Sequence, residues 1–164
     1  MKKISISECT GHCSTFTTKD DGKYDRTLFK PLCNINKAII FNVRAKNDAS
    51  VGFFTDKKSD KELYDIVIGG WGNTQSVILR ERKINGNYLV TKATANILNA
   101  TEDRTFWADA NNGVVRLGEG PIIGKKIVMS WTDEKPLNTI YVGFSTGWGA
   151  TGDWNACSSI GNYI

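Results

Sequence analysis

The stretch "YDIVIGGWGNTQSVILRER", residues 64–82, decides the fold. Two apolar runs flank a glycine-rich centre. The first alternates with a period of two: Tyr64, Ile66 and Ile68 share one face and Asp65 lies on the other. The second, "SVILRER", also reads as a strand, with Val77 and Leu79 inward and Ile78, Arg80 and Arg82 on the opposite face. The centre, with Gly69, Gly70 and Gly72, looks like a loop that cradles a nucleotide or S-adenosylmethionine. Such a loop requires a helix next, because the helix N-terminus supplies the free N–H groups and the positive dipole end. A strand follows instead. The stretch is therefore a hairpin, and the glycines serve its turn.

Strand patterns continue on both sides. In "IIFNVRA", Ile39, Phe41, Val43 and Ala45 share one face. "NYLVTKA", "GVVRLG", "KIVMSW" and "TIYVGFS" are rich in β-branched and aromatic residues. Turn signals separate them: "NGN" at 85–87, "NNG" at 111–113, "EGPIIG" and "DEKP". Short, regularly spaced strands predict an all-β fold, an antiparallel β-sandwich of jelly-roll type, in a single domain. "TANILNATED" is the one candidate short helix. Residues 1–25 read as an N-terminal extension carrying two cysteines, with "STFTT" an edge strand, and residues 26–164 as the sandwich domain.

At 164 residues, 40% hydrophobic and 23% charged, the chain has the composition of a globular domain with a real core. The net charge of +4 is spread among acids, with no basic stripe for nucleic acid. No apolar run approaches the ~20 residues of a membrane helix. The opening "MKKISISECTGHCST" has no apolar core of signal-peptide length. Cys9, Cys13, Cys33 and Cys157 allow three disulfide pairings, or free thiols. "CTGHC" suggests zinc, but His12 is the only histidine, the other cysteines are isolated, and no calcium-loop spacing exists, so no metal is expected. "NAT" at Asn99 matches the glycosylation acceptor pattern, which matters in a secreted chain. No catalytic constellation stands out. Asp103, Asp109, Asp133 and Asp153 read as turn residues.

Four segments, "FNVRAKNDASVGFF", "YDIVIGGWGNTQSVILR", "FWADANNGVVRLGEG" and "YVGFSTGWGATGDW", occur in that order. Together they resemble the domain family named after farnesoic acid O-methyltransferase, over about Leu28 to Cys157. The family's name implies methyl transfer to a sesquiterpenoid acid. The family looks like a small all-β module, common in invertebrates and often joined to other extracellular domains. Some invertebrate proteins similar to it are lectins for galactose-containing disaccharides such as N-acetyllactosamine. The resemblance thus implies an extracellular carbohydrate-binding protein; the missing calcium-loop spacing and the hairpin reading of the glycines predict that it uses no metal and no cofactor. The alternatives are a structural or protein-interaction module and the methyltransferase of the name.

Two tryptophan–glycine stretches carry the candidate site. "GGWGN" supplies Trp71 and Asn73, and "TGWGATGDW" supplies Trp148, Asp153 and Trp154. A pyranose needs an aromatic face for its C–H surface and fixed polar groups to read its hydroxyls. Glycines beside the ring let the ligand approach the backbone. The expected carbohydrate-binding residues are Trp71, Asn73, Arg80, Trp148 and Asp153, supported by Arg44 and Asp48 at a strand end, with Asn47 beside them. Arg80, on the outward face, is expected to reach either loop. The competing reading makes tryptophans core plugs, and it applies most directly to Trp107, Trp131 and Trp154. One weak site per chain predicts a homodimer or larger homo-oligomer, since linked sites gain avidity.

Overall fold

The structure is a computed structural model that describes residues 12–29, 37–82 and 88–158. Cys9, Cys33 and the "NGN" turn lie outside the described residues. Among the described residues eleven strands run in order: β1 (His12–Thr18), β2 (Ala38–Arg44), β3 (Ala49–Phe54), β4 (Leu63–Gly69), β5 (Gln75–Arg80), β6 (Val90–Ala93), β7 (Arg104–Asn111), β8 (Val114–Glu119), β9 (Ile127–Thr132), β10 (Tyr141–Thr146) and β11 (Gly152–Ser158). They form two antiparallel sheets, β1-β11-β2-β7-β8-β9 and β10-β3-β4-β5-β6. The fold is the expected all-β sandwich. The helical turn Gly70–Asn73 is itself the β4–β5 turn, and β4 pairs antiparallel with β5. "TANILNATED" is not helical; it is the loop between β6 and β7. No helix among the described residues is long and apolar enough to cross a membrane.

The core fills the space between the sheets. Ile39, Phe41 and Val43 of β2 meet Val51, Phe53, Tyr64, Ile66, Ile68 and Ile78 across it. β1 pairs with β11 along its whole length. Its Phe16 stacks on Trp154 with centroids 6.0 Å apart and planes 7° apart. A Cys13–Cys157 disulfide joins the two strands outside the core.

One facing assignment is reversed. Ile78 points into the core, while Val77 and Leu79 lie on the outer face of the five-stranded sheet. Val77 is level with Val67, and Leu79 with Asp65. Arg80 therefore follows Ile78 to the inner side, at the end of the sheet remote from the glycine turn. There it pairs with Asp133, which also accepts from Tyr64 Oη at 2.7 Å. Burial works against ionisation of Asp133. Hydrogen bonds from Tyr64 and the Lys135 N–H, with the Arg80 charge, hold its carboxyl below the ordinary value. The expectation that Arg80 reaches a tryptophan loop fails because this ion pair closes the far end of the core.

The tryptophans divide cleanly. Trp107 and Trp154 are fully buried, Trp131 is half-buried, Trp71 is 50% exposed and Trp148 is 86% exposed. Trp154 plugs the core, and Trp107 packs on the outer face of the six-stranded sheet. A Cβ at Gly118 would stand 2.1 Å from the Trp107 ring, so only glycine fits beneath it. The two tryptophans flanked by glycine on both sides are the two in solvent.

Candidate functional site

The outer face of the five-stranded sheet is divided by Tyr24. Its ring lies over Gly52 and Gly143, where added Cβ atoms would come within 3.1 and 3.2 Å of it. Its hydroxyl donates to Asp65, and the Arg82 guanidinium sits 4.3 Å above its ring. Arg82 Nε also lies 3.4 Å from Asp65, and its Nη1 donates to Gly22 O at 2.6 Å. Burial raises the Asp65 carboxyl above its ordinary value; the Arg82 charge and the Tyr24 hydrogen bond oppose that rise. Burial, followed by the Asp65 charge, pushes the Tyr24 phenol well up. This cluster forms one wall of an open groove.

The groove has a volume of about 690 Å³. Val67, Val77 and Leu79 make its floor, with Ser50 and Ser145 level with them on neighbouring strands. Trp71 and Tyr88 stand together on one side, edge to face, with ring centroids 5.3 Å apart. Trp148, Asn47 and Asp48 also line it. The turn between β2 and β3, the β4–β5 turn and the β10–β11 loop all come to this end of the sandwich.

Both tryptophans have left-handed backbones, with φ 50° at Trp71 and 54° at Trp148. A bulky side chain in this region is strained, and such outliers cluster at ligand clamps. The surroundings enforce the geometry. In the Trp71 turn, Gly69, Gly72 and Asn73 also have positive φ. The Asn73 amide locks the turn, donating to Leu98 O at 2.8 Å and accepting from Leu98 N–H at 3.0 Å. Thr74 Oγ1 donates to Trp71 O at 2.7 Å. In the Trp148 loop, Asn47 Nδ2 donates to Trp148 O at 3.2 Å, and Gly149 N–H donates to Asp20 Oδ1 at 2.9 Å.

Asp48 is the polar group best placed to read a ligand. It too has positive φ, 48°. Its Oδ2 accepts from Asn47 Nδ2 at 2.6 Å, and it makes no ion pair among the described residues. Burial raises its carboxyl above the ordinary value, against the Asn47 hydrogen bond. A half-buried carboxylate without a cation has unused acceptor capacity facing the groove.

Of the residues singled out in the sequence, the structure brings together Trp71, Trp148 and Asp48, with Asn47. Asn73 belongs to the turn, but its amide is occupied by Leu98. Arg80 is at the far end. Arg44 and Asp153 lie opposite each other in β2 and β11 on the outer face of the six-stranded sheet, and Arg44 pairs with Asp103 at 3.0 Å. Tyr88, Ser50, Ser145 and the Tyr24–Asp65–Arg82 cluster were missed. The face alternation that isolates Asp65 from Tyr64 was the available signal for the last.

The family model described as farnesoic acid O-methyl transferase matches residues 18–158. The chain belongs to this family. No curated protein matches it in sequence. Solved structures share the sandwich. The Caenorhabditis elegans galectin LEC-6 is 11% identical, with 95% of this chain and 99% of that chain covered and a TM-score of 0.53. A native glycosidic hydrolase is 12% identical, covering 98% and 84%, at 0.57. The VIP36 exoplasmic/lumenal domain, in its Ca2+/Man3GlcNAc-bound form, is 10% identical, covering 98% and 87%, at 0.53. The chain spans 66% of the length of a Bacillus licheniformis β-glucanase, with 15% identity over 76% of itself. At these identities the likeness is one of fold, and the family fold is one that lectins and glycoside hydrolases also use.

Proposed function

We propose that this family member is a carbohydrate-binding protein without catalysis, and that its ligand is a galactose-type glycan such as N-acetyllactosamine, held in the groove without metal. One observation carries the reading. Two solvent-exposed tryptophans are held at positive φ beside a single groove. Neither is needed by the core, and the backbone carbonyl of each accepts a side-chain hydrogen bond that holds its turn in place in advance, which lowers the backbone entropy lost on binding. Trp71, Trp148 and Tyr88 offer faces to the C–H side of pyranose rings. Asp48 and Asn47 read hydroxyl orientation, and Ser50 and Ser145 line the same surface. Asn73 positions Trp71 rather than touching sugar. The groove volume lies in the ~300–1,000 Å³ range of small-ligand sites. The galectin and the Man3GlcNAc-bound VIP36 domain, similar in fold, support sugar as the ligand class.

Methyl transfer, which the family's name denotes, would need a site for a methyl donor. The glycines of residues 69–72 do not offer one of the dinucleotide type, because they turn an antiparallel hairpin. The test is a glycan array with the purified protein, with and without chelator. Binding to terminal β-galactosides in both conditions is expected. Absence of any glycan signal would leave the protein-interaction alternative, and a signal lost on chelation would refute metal independence.

A further inference from the structure

A second groove, of about 770 Å³, opens at the same end of the sandwich on the side where the edge strands β6 and β9 approach each other. Among the described residues it shares no lining residue with the first. Three cations from three separate elements line it: Lys92 of β6, Arg104 at the start of β7 and Lys126 just before β9. All three are exposed, and none makes an ion pair among the described residues. One carboxylate, Glu119, faces them. Like charges gathered without partners repel one another, and a ligand of opposite sign relieves that repulsion.

We propose that this groove binds an anionic polysaccharide through its sulfate or carboxylate groups. The cations sit on three elements rather than in one fork, so they suit charges repeated along a chain better than a single small anion. The surface between them is not a platform for nucleobases. Its aromatic residue, Phe106, is 1% exposed, whereas single-stranded nucleic acid is held chiefly by stacking on open aromatic faces. Ile127, 47% exposed, adds an aliphatic surface beside Lys126 on which a sugar ring can rest.

The test measures affinity for immobilised dextran sulfate, polygalacturonate and uncharged dextran across a salt series. The parent protein is expected to bind one or both polyanions and not dextran. Affinity should fall steeply with salt, because bound cations release condensed counterions, about one per contact. The Lys92→Gln/Arg104→Gln/Lys126→Gln variant should bind at least tenfold more weakly, with a salt slope smaller by about two to three. A charge-matched control, Lys57→Gln/Lys58→Gln/Lys61→Gln, alters the β3–β4 loop at the other end of the five-stranded sheet and should bind within twofold of the parent. All six side chains are exposed, so both variants should melt like the parent. The proposal is overturned if neither polyanion binds, if the two triple variants lose affinity equally, or if oligothymidine binds as tightly as the better polyanion.

Discussion

Truncating Trp148 should separate binding from stability. The side chain is 86% exposed and contributes nothing to the core. Trp148→Ala should therefore change unfolding free energy by less than about 0.5 kcal/mol, the range of surface substitutions. Trp148→Gly probes the strain directly. Removing Cβ from a left-handed residue gains about 1–2 kcal/mol, and the extra freedom of glycine in the unfolded chain takes back about 0.4–1 kcal/mol. The glycine variant should thus equal or exceed the parent in stability by up to about 1.6 kcal/mol, the difference between those two ranges. Trp154→Ala is the contrast. Trp154 is 2% exposed and packs against Phe16, Phe41 and Phe144, the last at 4.9 Å between centroids. Its loss should cost about 3–5 kcal/mol. An anchoring aromatic at a binding site contributes about 2 kcal/mol or more, so both Trp148 variants should lose at least about tenfold in affinity for N-acetyllactosamine. Urea denaturation gives the stabilities and calorimetric titration the affinities. If Trp148→Ala unfolds more than about 1 kcal/mol below the parent, or binds like it, the assignment of Trp148 to the ligand is wrong.

Asp48 should impose a pH dependence on binding. Its carboxyl lies above the ordinary value of 3.8 because of burial, so acceptor capacity is complete above that raised value and is lost as pH falls through it. Titrations from pH 7 downward should show affinity failing before an ordinary aspartate protonates, while Asp48→Asn binds weakly and independently of pH in that window; a parent profile that stays flat to pH 4 would remove Asp48 from the site. For stability the sign is opposite, because a raised carboxyl makes the native state bind more protons, so Asp48 stabilises more as pH falls. The Cys13–Cys157 disulfide spans 144 residues and anchors an edge strand. The double Cys13→Ser/Cys157→Ser variant should lose about 2–5 kcal/mol, and an unchanged melting temperature would show that the pairing of β1 with β11 suffices without it.

Much of the sandwich was legible because alternation is reliable where one face is polar. β2 and β4 gave their inner faces correctly, since Asp65 marks the outer side of β4. β5 did not, because Val77, Ile78 and Leu79 are all buried and a strand covered on both faces loses its period. With no period to read, the charge of Arg80 alone marks a solvent side. Its partner Asp133 is 53 residues away, so an ion pair closing the core could not be anticipated from the strand itself. The glycine-flanked tryptophans were legible as candidates because they sit in turns, where a large side chain has little core to enter, and both are exposed, whereas the tryptophans set within strands pack. Asp153 could have been excluded, since Trp154 beside it faces inward and neighbours in a strand face opposite ways. Tyr88 and Ser145 converge on the groove only through sheet register, which joins residues far apart in sequence.

The five tryptophan indole N–H signals offer the most direct measurement. In a nitrogen-15 labelled sample titrated with N-acetyllactosamine, the signals of Trp71 and Trp148 should shift and saturate together, and those of Trp107 and Trp154 should stay in place. Saturable shifts confined to the buried indoles, or no saturable shift in the two exposed ones, would contradict the groove as the sugar site.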